Sequence, residues 1–490
     1  MAYIHGAYGE LANSKVTNAA QADVVAGYIG TAPINLIRGY ADANLINMPI
    51  KVANMSDAQS KLGYSESWEG FTLCEAFAEH FDNTVGNVGP IYVVNVLDPD
   101  THKATAKTTK ELSFTNKRAE FESSDIILDT FAIADKVEGV DYSLEYNFAK
   151  GSVVVKLLGD STVAAVQCSY DTVDASAVEA TDIIGQTTAE GEYTGLHSMK
   201  LLYQHHNAVL NMLAAPGWSH IPAVYQAMVS IVQKLNGHWD GFVNADLPLV
   251  DEKGAAIDTI AKAIEWKNAN GYTSEFSKVY WPKVKDGSGR VFNLSTVGQA
   301  TMLRVDQNHD SVPFESPSNK EIMATGQYFG ENSKNKGFDQ QTGNGLNEKG
   351  ITTGVFWGGQ WVLWGPHTAA FTYNGGTDAR AIFDVSVRML MHITNSFQLD
   401  HGTEIDSPMT PQVKDTILND ERAKLDRLVG IGALIGTPTV EFVESANPIS
   451  DMMNGDFVWD FSATPTPPFK SGKARVSYTD EGFAAFFETA

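Results

Sequence analysis

Residues Leu346 to Thr368 read LNEKGITTGVFWGGQWVLWGPHT. Trp357, Trp361 and Trp364 stand at the i, i+4, i+7 spacing of one helical face, with five glycines in the same stretch. A helix would place Gly354, Gly358 and Gly359 in its interior, at a cost of about 1 kcal/mol each. The run Thr352, Thr353, Val355, Phe356 favours an extended chain. Gly358-Gly359 supplies two residues that accept positive φ, which suits a two-residue hairpin turn. The stretch is therefore predicted as a β-hairpin with strands near 352–357 and 360–364. The tryptophan spacing is then coincidental, and an aromatic ligand platform on a helix gives way to strands that can pair with other chains.

Around this hairpin lie 490 residues, enough for about two to four domains. With 35 Lys+Arg and 59 Asp+Glu the formal charge is −24. Such a chain should be soluble and should repel nucleic acid and anionic membrane, so no nucleic-acid partner is expected. The start, MAYIHGAYGELANSK, lacks the basic and apolar regions of a secretory signal. No apolar run reaches about 18 residues, so no direct membrane insertion is expected. Cys74 and Cys168 form no CxxC motif and no disulfide framework. They are read as buried core or strand residues in a reducing cytoplasm.

From the N-terminus, DVVAGYIGTAP (23–33) reads as a strand ending in a turn, and MPIKVANMSDAQSKLG (48–63) as a short strand and a helix. Ser56 is the expected N-cap of that helix and Gly63 its stop. A second helix is predicted after Ser67, with Phe71, Cys74, Phe77 and Phe81 on one face, broken at Asn87–Pro90 before the buried strand IYVVNV (91–96). From about 98 to 194 the chain is rich in Thr, Val, Ser and Gly and reads as an inserted all-β domain. Helix–strand alternation then returns. A strand and then a turn are expected within 208–218 and again within 241–248, helices at 221–235, 256–268 and 295–306, and two strands around a Gly-rich turn in 276–292. Residues 308–349 read as a long polar loop. After the hairpin come a buried helix over 378–397 and a helix from Thr410-Pro411 to about Val429, with Thr as N-cap and Pro at N1. That last helix carries an apolar stripe of Val413, Ile417, Leu425 and Leu428 opposite a charged face. Strands are expected at 439–444, 455–461 and 474–479, the last two joined by TPTPP. The fold class is therefore α/β (α+β), multi-domain, with a discontinuous core of mixed sheets and extended chain ends.

Chemistry is sparse in this sequence. No phosphate loop, GxSxG elbow or HExxH motif occurs. KDGSGR (285–290) lies between strands and reads as a turn, because a phosphate cradle precedes a helix. His197, His205 and His206 could share a helical face, but no third-ligand pattern accompanies them, and a polar face is the plainer reading. Asp246 ends a strand, where α/β enzymes place catalytic groups, but no partner for it is visible. No catalytic residue, cofactor or metal is assigned. Assembly is favoured instead, because both chain ends look extended and the C-terminal end carries apolar residues that nothing local buries.

The order SPSNKEI (316–322), LNEKGITT (346–353), WVLWGPHT (361–368) and the helix DARAIFDVSVRMLMHITNSF (378–397) with its internal Arg388 resembles the sheath proteins of contractile tails. These are the sheaths of phage tails, contractile bacteriocins and related injection machines. VAGYIGTAP (25–33), AAPGWS (214–219) and NPISDMMNGDFVWDF support the resemblance, which is weakest over 98–194. The motif residues are Pro317, Ser318, Asn319, Leu346, Asn347, Gly350, Ile351, Trp361, Trp364, Gly365 and Arg388.

The resemblance implies a non-enzymatic subunit that stacks in six-fold rings around an inner tail tube and contracts to drive that tube through a cell envelope. Baseplate and tail-terminator proteins would be its other partners. It would be assembled in the bacterial cytoplasm as part of a phage tail or a released particle. It implies an N-terminal arm (1–22) with Ile4 and Tyr8, and a C-terminal arm (472–490) with Val476, Tyr478, Phe483, Phe486 and Phe487. Each arm would add a strand to a neighbour's sheet. Residues 23–97 with 195–345 would form the middle domain, 98–194 an outer domain, and 346–471 the C-terminal domain. The helix 411–429 would face the tube with Lys414, Asp420, Glu421, Arg422, Lys424, Asp426 and Arg427. The rival readings are an α/β enzyme with a site near Asp246 and a non-contractile tail or baseplate component.

Overall fold

The computed structural model describes residues 23–159, 164–330 and 337–487. The expected N-terminal arm, with Ile4 and Tyr8, lies outside the described residues. The chain opens with β1 (Asp23–Gly30), β2 (Pro49–Val52), α1 (Met55–Leu62), α2 (Leu73–Phe81) and β3 (Ile91–Asn95). The cap of α1 is Asn54, not Ser56. Asn54 is extended and its side chain accepts the Asp57 N–H at 2.9 Å, whereas Ser56 already lies in the helix. Gly63 ends α1 at φ 77°, as its sequence position suggests. Helix α2 starts later than expected and is buried all round, including Glu75, Glu79 and His80.

The insertion holds β4 (Thr108–Ser113), β5 (Arg118–Glu122), β6 (Ala132–Ile133), β7 (Tyr142–Asn147), β8 (Ser152–Leu157) and β9 (Ala165–Tyr170), then α3 (Ala180–Ile184). Its strands form two antiparallel sheets, β4-β9-β6 and β5-β8-β7. Alternating inward residues such as Phe121, Leu144, Val153 and Val155 give it a core of its own with Phe131 and Tyr170. Asn35 ties it to the main body by donating to the carbonyls of Ser124 and Ile126.

The chain then forms α4 (Leu201–His206), β10 (Ala208–Ala214), α5 (Pro222–Ile231), β11 (Phe242–Asp246), α6 (Ile260–Ala269) and β12 (Ser277–Tyr280). There follow β13 (Lys283–Lys285), β14 (Val291–Phe292), α7 (Leu294–Gln307), β15 (Gly326–Tyr328) and α8 (Gln340–Asn347). Two expectations change here. Residues 276–292 make three strands, because Trp281-Pro282 interrupts the ladder where Pro offers no N–H. The polar stretch 308–349 holds β15 and α8, the latter capped by Asp339, which accepts the Thr342 N–H at 2.8 Å.

The hairpin is present as β16 (Ile351–Trp357) and β17 (Gln360–Trp364), with Gly358 and Gly359 at φ 64° and 91°. It is not an isolated ribbon. β16 also pairs in parallel with β12 and completes an eight-stranded sheet, β17-β16-β12-β11-β10-β1-β3-β2. The main sheet therefore crosses the expected domain boundary at 345/346. Its inner strands are parallel and buried on both faces. On β1, Tyr28 bonds His80 of α2, while the neighbouring Gly27 looks toward Leu210 and Met199.

The C-terminal part comprises α9 (Asp384–His401), α10 (Pro411–Gly430), β18 (Leu434–Glu441), α11 (Ile449–Asn454) and β19 (Asp460–Pro465). Helix α9 begins six residues after Asp378, because Asp378 caps a short turn at 379–381 and Phe383 is extended. Thr410 caps α10 by accepting the Val413 N–H, with Pro411 at N1, as predicted. Met389, Ile393, Leu418, Leu425, Leu428, Leu434 and Val440 pack together between α9, α10 and the β18–β19 pair. Among the described residues no helix is long and apolar enough to cross a membrane.

Candidate functional site

The motif residues converge on one knot at the β17 edge of the main sheet. Segment 319–322 runs beside β17: Asn319 N–H donates to Leu363 O at 2.6 Å, Leu363 N–H to Lys320 O at 2.9 Å, and Ile322 N–H to Trp361 O at 3.0 Å. Pro317 is buried, and Ser318 Oγ accepts the Gly365 N–H at 3.0 Å. Asn347 donates to Gly343 O, Ile351 O and Trp364 O. Leu346 and Ile351 are buried beneath it. Gly350 sits at φ 65°, and a Cβ there would meet Thr368 O at 2.4 Å. Trp364 Nε1 donates to Asn344 Oδ1, and Trp357 packs on the Trp364 ring at 5.9 Å. The SPSN segment thus covers an edge that would otherwise offer free N–H and C=O groups.

One buried ion pair holds the knot to α9, and a second joins α9 to α7. Lys278 Nζ donates to Gly365 O and to Asp384 Oδ2, each at 2.6 Å, with both side chains fully buried. Arg388 lies apart from the other motif residues and pairs with Asp306 of α7. Arg388 Nε and Nη1 and Asp306 Oδ1 have no protein partner. No sequence pattern marks Lys278, which stands in a strand that otherwise reads as buried.

The C-terminal hairpin differs in kind. β18 and β19 pair only with each other, so each leaves one edge open among the described residues. Expected strands at 439–444 and 455–461 are shifted to 434–441 and 460–465. Among the described residues the expected strand at 474–479 forms no pairing. Beyond the Thr466 N–H, which donates to Ala433 O, the backbone makes no backbone hydrogen bond until a short turn over 481–486. Val476 is 94% exposed, Phe487 86% and Phe469 90%, and Tyr478, Phe483 and Phe486 are exposed as well. A segment of strand-forming and aromatic residues is left without anything to bury it.

On α10, Asp420, Arg422, Asp426 and Arg427 are exposed, and Lys414 is part-buried beside Asp415. Glu421 does not belong to that exposed face. It is buried against α9, where it bonds His401 and Lys424, and Lys424 turns inward to Asp400 at 2.6 Å. Helical periodicity places 421 beside the stripe residues Ile417, Leu425 and Leu428, so its burial was readable from spacing; its partner His401 was not.

The candidate chemical groups have structural partners. Asp246 accepts the Ser295 N–H at 2.9 Å together with the hydroxyls of Ser295 and Ser219, so it caps the first turn of α7. His206 bonds Pro49 O at 2.7 Å, His197 meets Thr187, and His205 is exposed. Among the described residues no group of three or more His, Cys, Asp or Glu could hold a metal. KDGSGR forms the β13–β14 turn, closed by Ser288 and Arg290 on Asp286. Cys74 and Cys168 are buried free thiols. A cleft of 530 Å³ beside the knot is lined by Ser318, Asn344, Trp364, His367 and Phe469. Its histidine is held neutral, pushed down to about 4 by burial.

No protein-family model matches the chain. It is 26% identical over 482 residues to a tail sheath protein of Burkholderia phage BcepMu, covering 93% of this chain and 92% of that one. It is 24% identical over 314 residues to the tail sheath protein of Escherichia phage P2, covering 62% and 72%. The fold is shared with a chain of the six-fold symmetrised anti-feeding prophage baseplate, at TM-score 0.55, 12% identity, and 98% and 100% coverage. It is shared equally with a chain of the contracted PVC sheath complex of an extracellular contractile injection system, at TM-score 0.55, 11% identity, and 98% and 99% coverage.

Proposed function

We propose that this chain, which resembles tail sheath proteins along most of its length, is a structural subunit of a contractile tail sheath. One observation carries the reading beyond the likeness. A two-stranded sheet with open edges stands in the same molecule as an unpaired C-terminal segment bearing Val476, Tyr478, Phe483, Phe486 and Phe487. A strand supplied by a neighbour adds main-chain hydrogen bonds and buries the apolar side chains at once. Residues 472–490 are read as the arm that leaves, and β18–β19 as the sheet that receives. Residues 1–22 are read as the second arm on the strength of the sequence alone. The enzyme rival loses its candidate, because Asp246 spends its carboxylate on α7.

The partners proposed are further copies of this chain in stacked rings, an inner tail tube, a baseplate and a tail terminator. The exposed part of α10, with Asp420, Arg422, Asp426 and Arg427, is the surface read as facing the tube. Exposed ion pairs contribute about 0–1 kcal/mol each, weak enough for contacts that must be exchanged during contraction. The particle is a phage tail or a related released machine.

The test is negative-stain electron microscopy of the full chain expressed alone, beside a chain ending at Ser471. Hollow tubes or six-fold rings are expected from the full chain, and a folded, unassembled subunit from the truncated one. Tubes from the truncated chain would refute the arm assignment. Small discrete particles from the full chain at every salt concentration would count against the sheath reading.

A further inference from the structure

The C-terminal end of α9 and the turn after it meet α10 through a charged cluster that the assembly reading does not use. The His401 ring is the hub. Its Nε2 lies 2.8 Å from Glu421 Oε1 on α10, and its Nδ1 lies 3.1 Å from Glu404 Oε2 in the 402–404 turn. A carboxylate accepts hydrogen bonds and a neutral imidazole has a single N–H, so both contacts form together only on the imidazolium. The remaining charged groups of the cluster are Asp400 on α9 and Lys424 on α10. Lys424 bridges Asp400 and Glu421. His392 and Arg427 line the same α9–α10 cleft farther along, with Asp310 at its rim. Phe397 of α9 packs on the ring at 4.9 Å, tilted by 54°, and also packs on Trp459 and Phe461, which links the hub to the β18–β19 region. The side chain of His401 is 11% exposed and that of Glu421 4%, so the pair is shielded from salt, while Glu404 is 41% exposed.

We propose that protonated His401 is a clamp that ties the α9–α10 connection to α10, and that loss of its proton releases Glu404 and loosens the seating of α10 on α9. The neutral ring has one N–H for two carboxylates, so the bridge from the 402–404 turn to α10 opens and the contact to Glu421 loses its charge assistance. The carboxylates on either side raise the proton affinity of the ring, with the bond to Glu421 the largest contribution. The sign follows: the clamp is fully formed below the unfolded-state value of about 6.5 and is lost as pH rises through the higher folded-state value.

Hydrogen exchange of the full chain at pH 6 and pH 9, corrected for intrinsic rates, tests this. The protection of α10 is read against that of the core strand β10. The ratio is expected to fall about tenfold between the two pH values, the loss of one charge-assisted hydrogen bond. In H401Q it is expected to be low at both. Because H401Q removes a shielded group, E404Q on the exposed side gives a second arm. It should leave the fold intact and lower the pH at which the His401 ring signal titrates in ¹³C-histidine-labelled protein. A ratio that does not change with pH in the wild type, or a His401 ring titrating at or below the ordinary histidine value, would overturn the clamp. Neither result bears on the sheath reading, which stands or falls on assembly.

Discussion

Gly350 shows how much one backbone position can decide. It holds φ 65° at the corner where LNEKGI turns into β16, with Thr368 O closing on the space a side chain would need. Alanine there meets both a left-handed backbone penalty and a carbonyl. G350A is expected to lower stability by about 2 kcal/mol or more in urea titration. Arg388 makes the opposite point. It is fully buried, its partner Asp306 is buried, and polar atoms remain unpaired on both. R388A leaves an uncompensated carboxylate and should cost about 3–5 kcal/mol. Replacing both partners, as in R388M with D306L, should recover most of that loss in the same titration. If the single and double variants are equally unstable, the pair is not the source of the effect.

At the scale of elements, α2 carries an electrostatic signature that periodicity alone hides. Its sequence reads as an amphipathic helix with a phenylalanine face, but it is enclosed between the sheet and α7, so Glu79 and His80 are buried too. His80 is held neutral, its Nδ1–H on Val88 O and its Nε2 accepting from Tyr28, and burial pushes it down to about 4. Burial pushes Glu79 up to about 8. The two act in opposite directions. The unfolded chain takes up a proton on His80 near 6.5, so stability is lost as pH falls from there toward 4. Glu79 is protonated in the fold while the unfolded chain ionises near 4.5, so its contribution is lost as pH rises toward 8. The acid limb is worth on the order of 3 kcal/mol and the alkaline limb on the order of 5 kcal/mol. The two slopes cancel between about pH 4.5 and 6.5, so denaturation midpoints between pH 4 and 9 should be highest on that plateau and fall from about 6.5 toward 8. E79Q should flatten the alkaline limb and leave the acid limb in place.

For the whole molecule, the packed cores and the exposed C-terminal tail are separate parts of the chain. The core clusters lie in the main sheet with its helices, in the insertion and in the C-terminal packing layer. The side chains of 472–487 are exposed and join none of them. Ending the chain at Ser471 should therefore leave the melting temperature of the isolated subunit within about 2 °C of the full chain, since surface changes of this kind rarely exceed about 0.5 kcal/mol. A large drop would mean the tail is part of the subunit's own fold.

The sequence alone determined the local elements. Gly358-Gly359 made the hairpin, Thr410-Pro411 the start of α10, and the Thr- and Val-rich stretch after residue 98 the β insertion, because turns, caps and periodicity are short-range chemistry. The order of SPSN, LN-GI and W-WG motifs also pointed to the sheath resemblance. What only the tertiary structure decided is where distant segments meet. Nothing local announces that β16 joins β12, that 319–322 covers the edge of β17, that Asp246 caps α7, or that His401 is the partner of Glu421. Those outcomes depend on burying polar groups only where a partner far along the chain can satisfy them. What points from residues 467–487 to another chain is their exposed apolar side chains, which no packing within the described residues covers.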